Sequence, residues 1–73
     1  MVVIVDKRRP TGIGESLSGD KAFYINANLI NNWHGVEMHP EFKLLTLQEQ
    51  YEVRTKFPRS VLIHQNIQTI RFV

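Results

Sequence analysis

Glu49-Gln-Tyr-Glu-Val-Arg-Thr-Lys-Phe-Pro-Arg-Ser-Val-Leu-Ile-His-Gln65 is the stretch on which the fold turns. Tyr51, Val53, Thr55 and Phe57 alternate with Glu52, Arg54 and Lys56. A period of two residues is the signature of a strand with one buried and one solvated face. Pro58 cannot donate to a ladder and ends that strand. Val61, Leu62 and Ile63 supply a second run rich in β-branched residues, so two strands meet at a Phe57–Ser60 corner. A helix competes for the first half, because Thr46-Leu-Gln-Glu49 has the spacing of a capping box. On a helix, Leu47 and Tyr51 would lie on one side and Val53 and Phe57 on nearly the opposite one. That split of the apolar set favours the strand.

Upstream, Phe42, Leu44 and Thr46 alternate with Lys43, Leu45 and Leu47, another strand pattern, and Gln48–Gln50 would close a hairpin into the stretch above. Downstream, Asn66 to Val73 reads either way: its β-branched content favours a strand, while Ile67 and Ile70 permit a helical turn. At the other end, residues 2–6 form a short apolar run that reads as a buried strand, lacking the basic flank and length of a signal peptide. Residues 21–27 alternate through Phe23 and Ile25. Asn28 would cap a short helix burying Leu29, Ile30 and Trp33 and ending at Gly35. No formal charge occurs from Ala22 to Val36, so this segment is expected to pack against something.

Seventy-three residues make one domain, 1–73, too small to be secured by a large core. There is no cysteine, which excludes disulfides and thiolate metal sites and fits a reducing, cytoplasmic setting. Self-association is the remaining way to add buried surface. No apolar run approaches the roughly 20 residues of a membrane span. The net charge is only +2, but it is unevenly placed. Lys7, Arg8 and Arg9 form one basic cluster, and residues 54–73 carry Arg54, Lys56, Arg59 and Arg71 with no acid. Two basic clusters on a small domain suit a polyanionic partner, although a solvated face has the same composition.

Enzymatic chemistry finds no support. Gly12-Ile-Gly14 lacks the third glycine of a dinucleotide fingerprint and the lysine of a phosphate loop, so Gly12, Gly14 and Gly19 read as turn residues. His34 and His39 are five apart with Gly35 between them, which is not the helical spacing of a two-histidine zinc site. No nucleophile–base set is apparent, and no cofactor is expected.

Two blocks carry a resemblance. Ile4-Val-Asp-Lys-Arg-Arg9, with Ile13-Gly-Glu-Ser-Leu17 and Gly19-Asp20, resembles the opening of the carbon storage regulator (CsrA/Rsm) family of RNA-binding proteins. Gln50 to His64 resembles that family's later strand, its proline corner and its last strand. Residues 21–41 would then be an inserted segment with its own helix. The resemblance implies a mainly β fold: an antiparallel, five-stranded, interlocked homodimer, here with a short inserted helix near residues 28–34. It implies a post-transcriptional regulator that binds a GGA element in an mRNA leader or small RNA hairpin. By position, the RNA-binding residues it implies are Val5, Lys7, Arg8 and Arg9 from the first strand and loop, with Phe57, Pro58, Arg59, Val61, Ile63, His64 and Gln65 from the corner and last strand. Gln65 stands where the family carries an arginine. It can hydrogen-bond but brings no charge. The alternative is a protein-binding regulatory module on the same fold, with a partner docking on the Trp33 segment.

Overall fold

The computed structural model describes residues 1–30, 32–56 and 69–72. Four strands, β1 (Val2–Asp6), β2 (Gly12–Glu15), β3 (Lys21–Asn26) and β4 (Thr69–Phe72), make one sheet in the order β2-β3-β1-β4. A 3-10 turn at Ala27–Leu29 leads into α1 (Trp33–Glu37), α2 (Pro40–Lys43) and α3 (Leu47–Lys56). The described fold is thus a small mixed α/β arrangement rather than a mainly β one.

The sheet is mixed rather than antiparallel. β1 and β3 pair in parallel, Val2 opposite Ala22 through Asp6 opposite Asn26. β2 and β4 flank them antiparallel. The two central strands read Val-Val-Ile-Val and Ala-Phe-Tyr-Ile, and these residues are buried on both faces, as is usual for a parallel pair. β4, at the edge, alternates as expected for a strand, and its Ile70 and Phe72 point to the core. The expected strands at 2–6 and 21–27 are therefore present, and β4 resolves the ambiguous tail in favour of a strand over Thr69–Phe72.

One face of the sheet presents Val3, Val5, Phe23 and Ile25, all fully buried beneath Val36, Phe42, Leu45 and Val53 of the helical segment. Phe23 meets Phe42 edge-on at 5.9 Å, and Phe42 meets Trp33 edge-on at 5.7 Å. These three rings join sheet to helices. The uncharged segment 22–36 packs as expected, but its capping differs. Asn26, not Asn28, caps the 3-10 turn, Asn32 caps α1, and Gly35 lies inside α1 rather than ending it.

Two expected strands are helices. Residues 42–46 are the end of α2 and the turn after it, and residues 47–56 form α3. Local chemistry decides this. His39 caps α2 through its ring nitrogen, with Pro40 at the first helical position, where its fixed φ suits a helix. The Thr46–Glu49 capping box is complete: Glu49 N donates to Thr46 Oγ1 and Thr46 N donates to Glu49 Oε1, both at 3.1 Å. The apolar residues do split around α3, as the wheel requires. Val53 is fully buried, while Leu47 and Tyr51 are 83% and 64% exposed. The split did not forbid the helix; it left one apolar side of it in solvent. The expected strand at Val61–Ile63 and the Phe57–Ser60 corner lie outside the described residues.

Glu49 has a second partner. Lys21 Nζ, at the start of β3, sits 2.7 Å from its carboxylate. The Lys21 ammonium first, and the Thr46 N–H second, hold the Glu49 carboxyl below its ordinary 4.5. A depressed carboxyl stabilises the fold fully above its unfolded value and loses that contribution as pH falls through the lower folded value. Thermal stability should therefore decline below about pH 4.5. Glu49→Gln should flatten that acid limb, as measured by melting temperature from pH 3 to 7. An unchanged limb would show that Glu49 does not report the strand–helix contact.

Candidate functional site

The other face of the sheet is built differently. Register places Arg71, Ile4, Tyr24 and Gly12 in one row across all four strands. Val2, Ile4, Ala22 and Tyr24 form a second apolar cluster, which no helical residue joins among the described residues. Polar and charged groups surround it.

Glycine makes room for the site's main contact. A Cβ on Gly14 would lie 3.0 Å from the Tyr24 ring and 3.2 Å from the Arg9 guanidinium. Gly12 and Gly14 are thus strand residues that admit close neighbours, not the expected turn residues. Gly19, at φ +86°, is a turn residue as expected. Over the Tyr24 ring lies Arg9, its guanidinium carbon 3.7 Å from the ring centroid. The phenol hydroxyl donates to the Glu15 carbonyl, which fixes the ring.

The loop after β1 holds Arg9 in place at both sides. Asn26 Nδ2 donates to the Arg9 carbonyl at 2.8 Å, and Asn26 N donates to Thr11 Oγ1 at 3.0 Å. Asp6 Oδ1 accepts from Arg8 N at 2.8 Å and turns the chain out of β1. Arg9, Tyr24, Ile4 and Arg71, with Asp6, Thr69 and Leu17, line a groove of about 330 Å³. That lies near the lower end of small-molecule sites, roughly 300–1,000 Å³. Its chemistry is an apolar floor, an aromatic ring capped by a planar cation, a second arginine and one carboxylate. Such a surface suits a flat, anionic-backboned ligand.

Gly14→Ala tests the arrangement. The added methyl should displace the Tyr24 ring or Arg9, loosening the stack at a stability cost of about 1–3 kcal/mol. Arg9 side-chain order parameters, by NMR, should fall relative to the parent. An unchanged Arg9 and an unchanged melt would contradict the close packing described.

The expected RNA-binding residues distribute unevenly. Lys7, Arg8 and Arg9 are exposed in one loop, and Arg9 joins the groove. Val5 is fully buried on the helix-covered face, so its side chain is not presented to a ligand. Phe57, Pro58, Arg59, Val61, Ile63, His64 and Gln65 lie outside the described residues. Trp33, the expected docking anchor of a protein partner, is half-buried against Phe42 and the core. His39 is occupied as a helix cap, and among the described residues no three His, Asp or Glu side chains converge as a metal site would require. Among those residues no helix is long and apolar enough to cross a membrane.

Tyr24 and Arg71 were missed as site residues. Two sequence signals mark them. Gly14, inside a strand, announces the close approach of Tyr24 and Arg9. The alternation Thr-Ile-Arg-Phe places Arg71 opposite the core-facing Ile70 and Phe72.

Comparison with known proteins matches no family model, no curated protein and no solved structure. The function therefore has to be read from the groove itself.

Proposed function

We propose that this chain binds RNA, taking an unpaired segment across the sheet face that carries Arg9, Tyr24 and Arg71. The observation that carries this reading is the Arg9 guanidinium stacked on Tyr24, with Arg71 on the same face. Bases of single strands are recognised by stacking on aromatic rings or on arginine planes, and their phosphates by cations nearby. Here the inner plane of the guanidinium is taken by Tyr24, so a base stacks on its outer plane. Lys7, Arg8 and Arg71 are placed for the phosphates. Asp6 opposes the anion and narrows where the backbone can run.

The narrower form of the reading is a GGA-binding post-transcriptional regulator acting as a homodimer. It is motivated by the resemblance of residues 4–20 and 50–64 to the carbon storage regulator family. In that family's interlocked dimer Gln50–Phe57 would be extended, whereas residues 50–56 here lie in α3. RNA binding by the groove stands without the dimer. A protein-binding module is the second reading. Leu44, Leu47 and Tyr51, exposed on the helical side, favour it more than Trp33 does.

A titration followed by fluorescence anisotropy separates these. The probes are a hairpin RNA with GGA in its loop, the same hairpin with GGA replaced, and a blunt duplex. Both hairpins should bind more tightly than the duplex. A preference for GGA would support the narrower form, and light scattering of the complex would give the number of chains. No RNA binding at low salt would overturn the reading and leave the protein-binding module.

A further inference from the structure

Leu17 is the most exposed side chain among the large apolar residues described, at 106% of its reference area. One exposed leucine ordinarily means little. This one lines the groove together with Arg9, Tyr24 and Arg71. It is also held there by an unusually well-bonded turn. Ser16 N donates to the Asp20 carbonyl at 2.8 Å, and Gly19 N donates to the Ser16 carbonyl at 3.0 Å. The Ser16 and Ser18 hydroxyls bond each other at 2.9 Å, Ser18 Oγ donates to Asp20 Oδ2, and Asp20 N donates to Ser16 Oγ. Gly19, in the left-handed region, closes the turn. A turn fixed by five hydrogen bonds thus carries an apolar tip at the rim of a groove bearing two arginines.

We infer that Leu17 is an apolar contact for one unstacked nucleobase, held between the leucine and the outer plane of Arg9. The inference rests on the RNA reading above and gives it a selectivity: an unpaired base is required. Bases taken out of the stack are held between aromatic or apolar side chains in other nucleic-acid complexes. Charge complementarity selects the occupant. The two arginines favour a ligand whose flat apolar part is attached to an anionic backbone, which a nucleotide segment is and an apolar peptide is not. In a duplex the base faces are stacked on their neighbours, and the leucine has nothing to cover.

The test uses the full chain and a fluorescein-labelled 10-nucleotide single-stranded RNA, alongside the same RNA with abasic residues replacing the central bases. Leu17→Ser alters a fully exposed side chain, so the fold should persist and its melt serves as the control. The parent should bind the intact RNA about tenfold more tightly than the abasic one, the order expected from covering a leucine and a base face. Leu17→Ser should remove most of that preference and leave abasic affinity unchanged. Equal binding of the intact RNA by parent and Leu17→Ser would overturn the inference while RNA binding stands. Equal losses on both RNAs would overturn it too, since the leucine would then act without the base. Failure of the parent to bind either RNA would overturn the RNA reading itself.

Discussion

Phe23→Ala is expected to leave the chain without a cooperative melt at 25 °C. Phe23 is fully buried in the middle of β3, and its ring joins the sheet to Phe42 and, through it, to Trp33. Removing a buried phenylalanine costs about 3–5 kcal/mol, and loss of the edge-on pair adds roughly 0.5–1.5 kcal/mol. A single domain this small is rarely held by more than about 3–5 kcal/mol, so the substitution consumes most or all of the stability. Leu47→Ala is the matched control. It also truncates an apolar side chain to alanine, but at an 83% exposed position, and should change stability by no more than about 0.5 kcal/mol. Circular dichroism against temperature distinguishes the two. A Phe23→Ala melt within a few degrees of the parent would show that the sheet and helices do not share the core described.

The second large effect is functional. Arg9→Gln combined with Arg71→Gln should lower affinity for single-stranded RNA by tenfold or more at low salt, since hydrogen bonds to charged groups each contribute about 1.5–3 kcal/mol. It should also reduce the salt dependence. For a single strand the slope of log affinity against log salt is about −0.7 per phosphate neutralised, so loss of the Arg71 phosphate contact makes it shallower by about 0.7, while loss of Arg9 removes the stacking plane. Glutamine keeps much of each side chain's length and its hydrogen-bonding capacity but not its charge. Stability should change little, because an exposed cation over a ring contributes only about 0.5–1 kcal/mol. A drop in affinity with an unchanged melt therefore reports the site and not the fold.

How much of this was legible beforehand depends on range. β1 and β3 were readable because each is a short apolar run bounded by polar turns. Their parallel pairing was not, since nothing local in Val2–Asp6 names Lys21–Asn26 as its neighbour. The helix at Leu47–Lys56 was announced by Thr46 and Glu49, and the period-two reading of Tyr51, Val53 and Thr55 overrode that signal. The alternation misled because it assumed that Tyr51 and Val53 must both be buried. Only Val53 is. A capping box acts within four residues and needs no tertiary partner, which is why it was the better guide here. At the site, the basic loop was visible from Lys7-Arg8-Arg9. The aromatic partner was not, because Tyr24 meets Arg9 only once β2 and β3 have paired. Gly14, which makes that meeting possible, carries the available clue, but a lone glycine in a sequence fits a turn as well as a close approach in a strand.

The most direct measurement of the central claim is the affinity of the parent and of the Arg9→Gln/Arg71→Gln protein for one single-stranded RNA, by fluorescence anisotropy, between 50 and 300 mM salt. The account predicts measurable, salt-dependent binding by the parent, and weaker binding with a slope shallower by about 0.7 for the variant. Superimposable curves for the two proteins would contradict it.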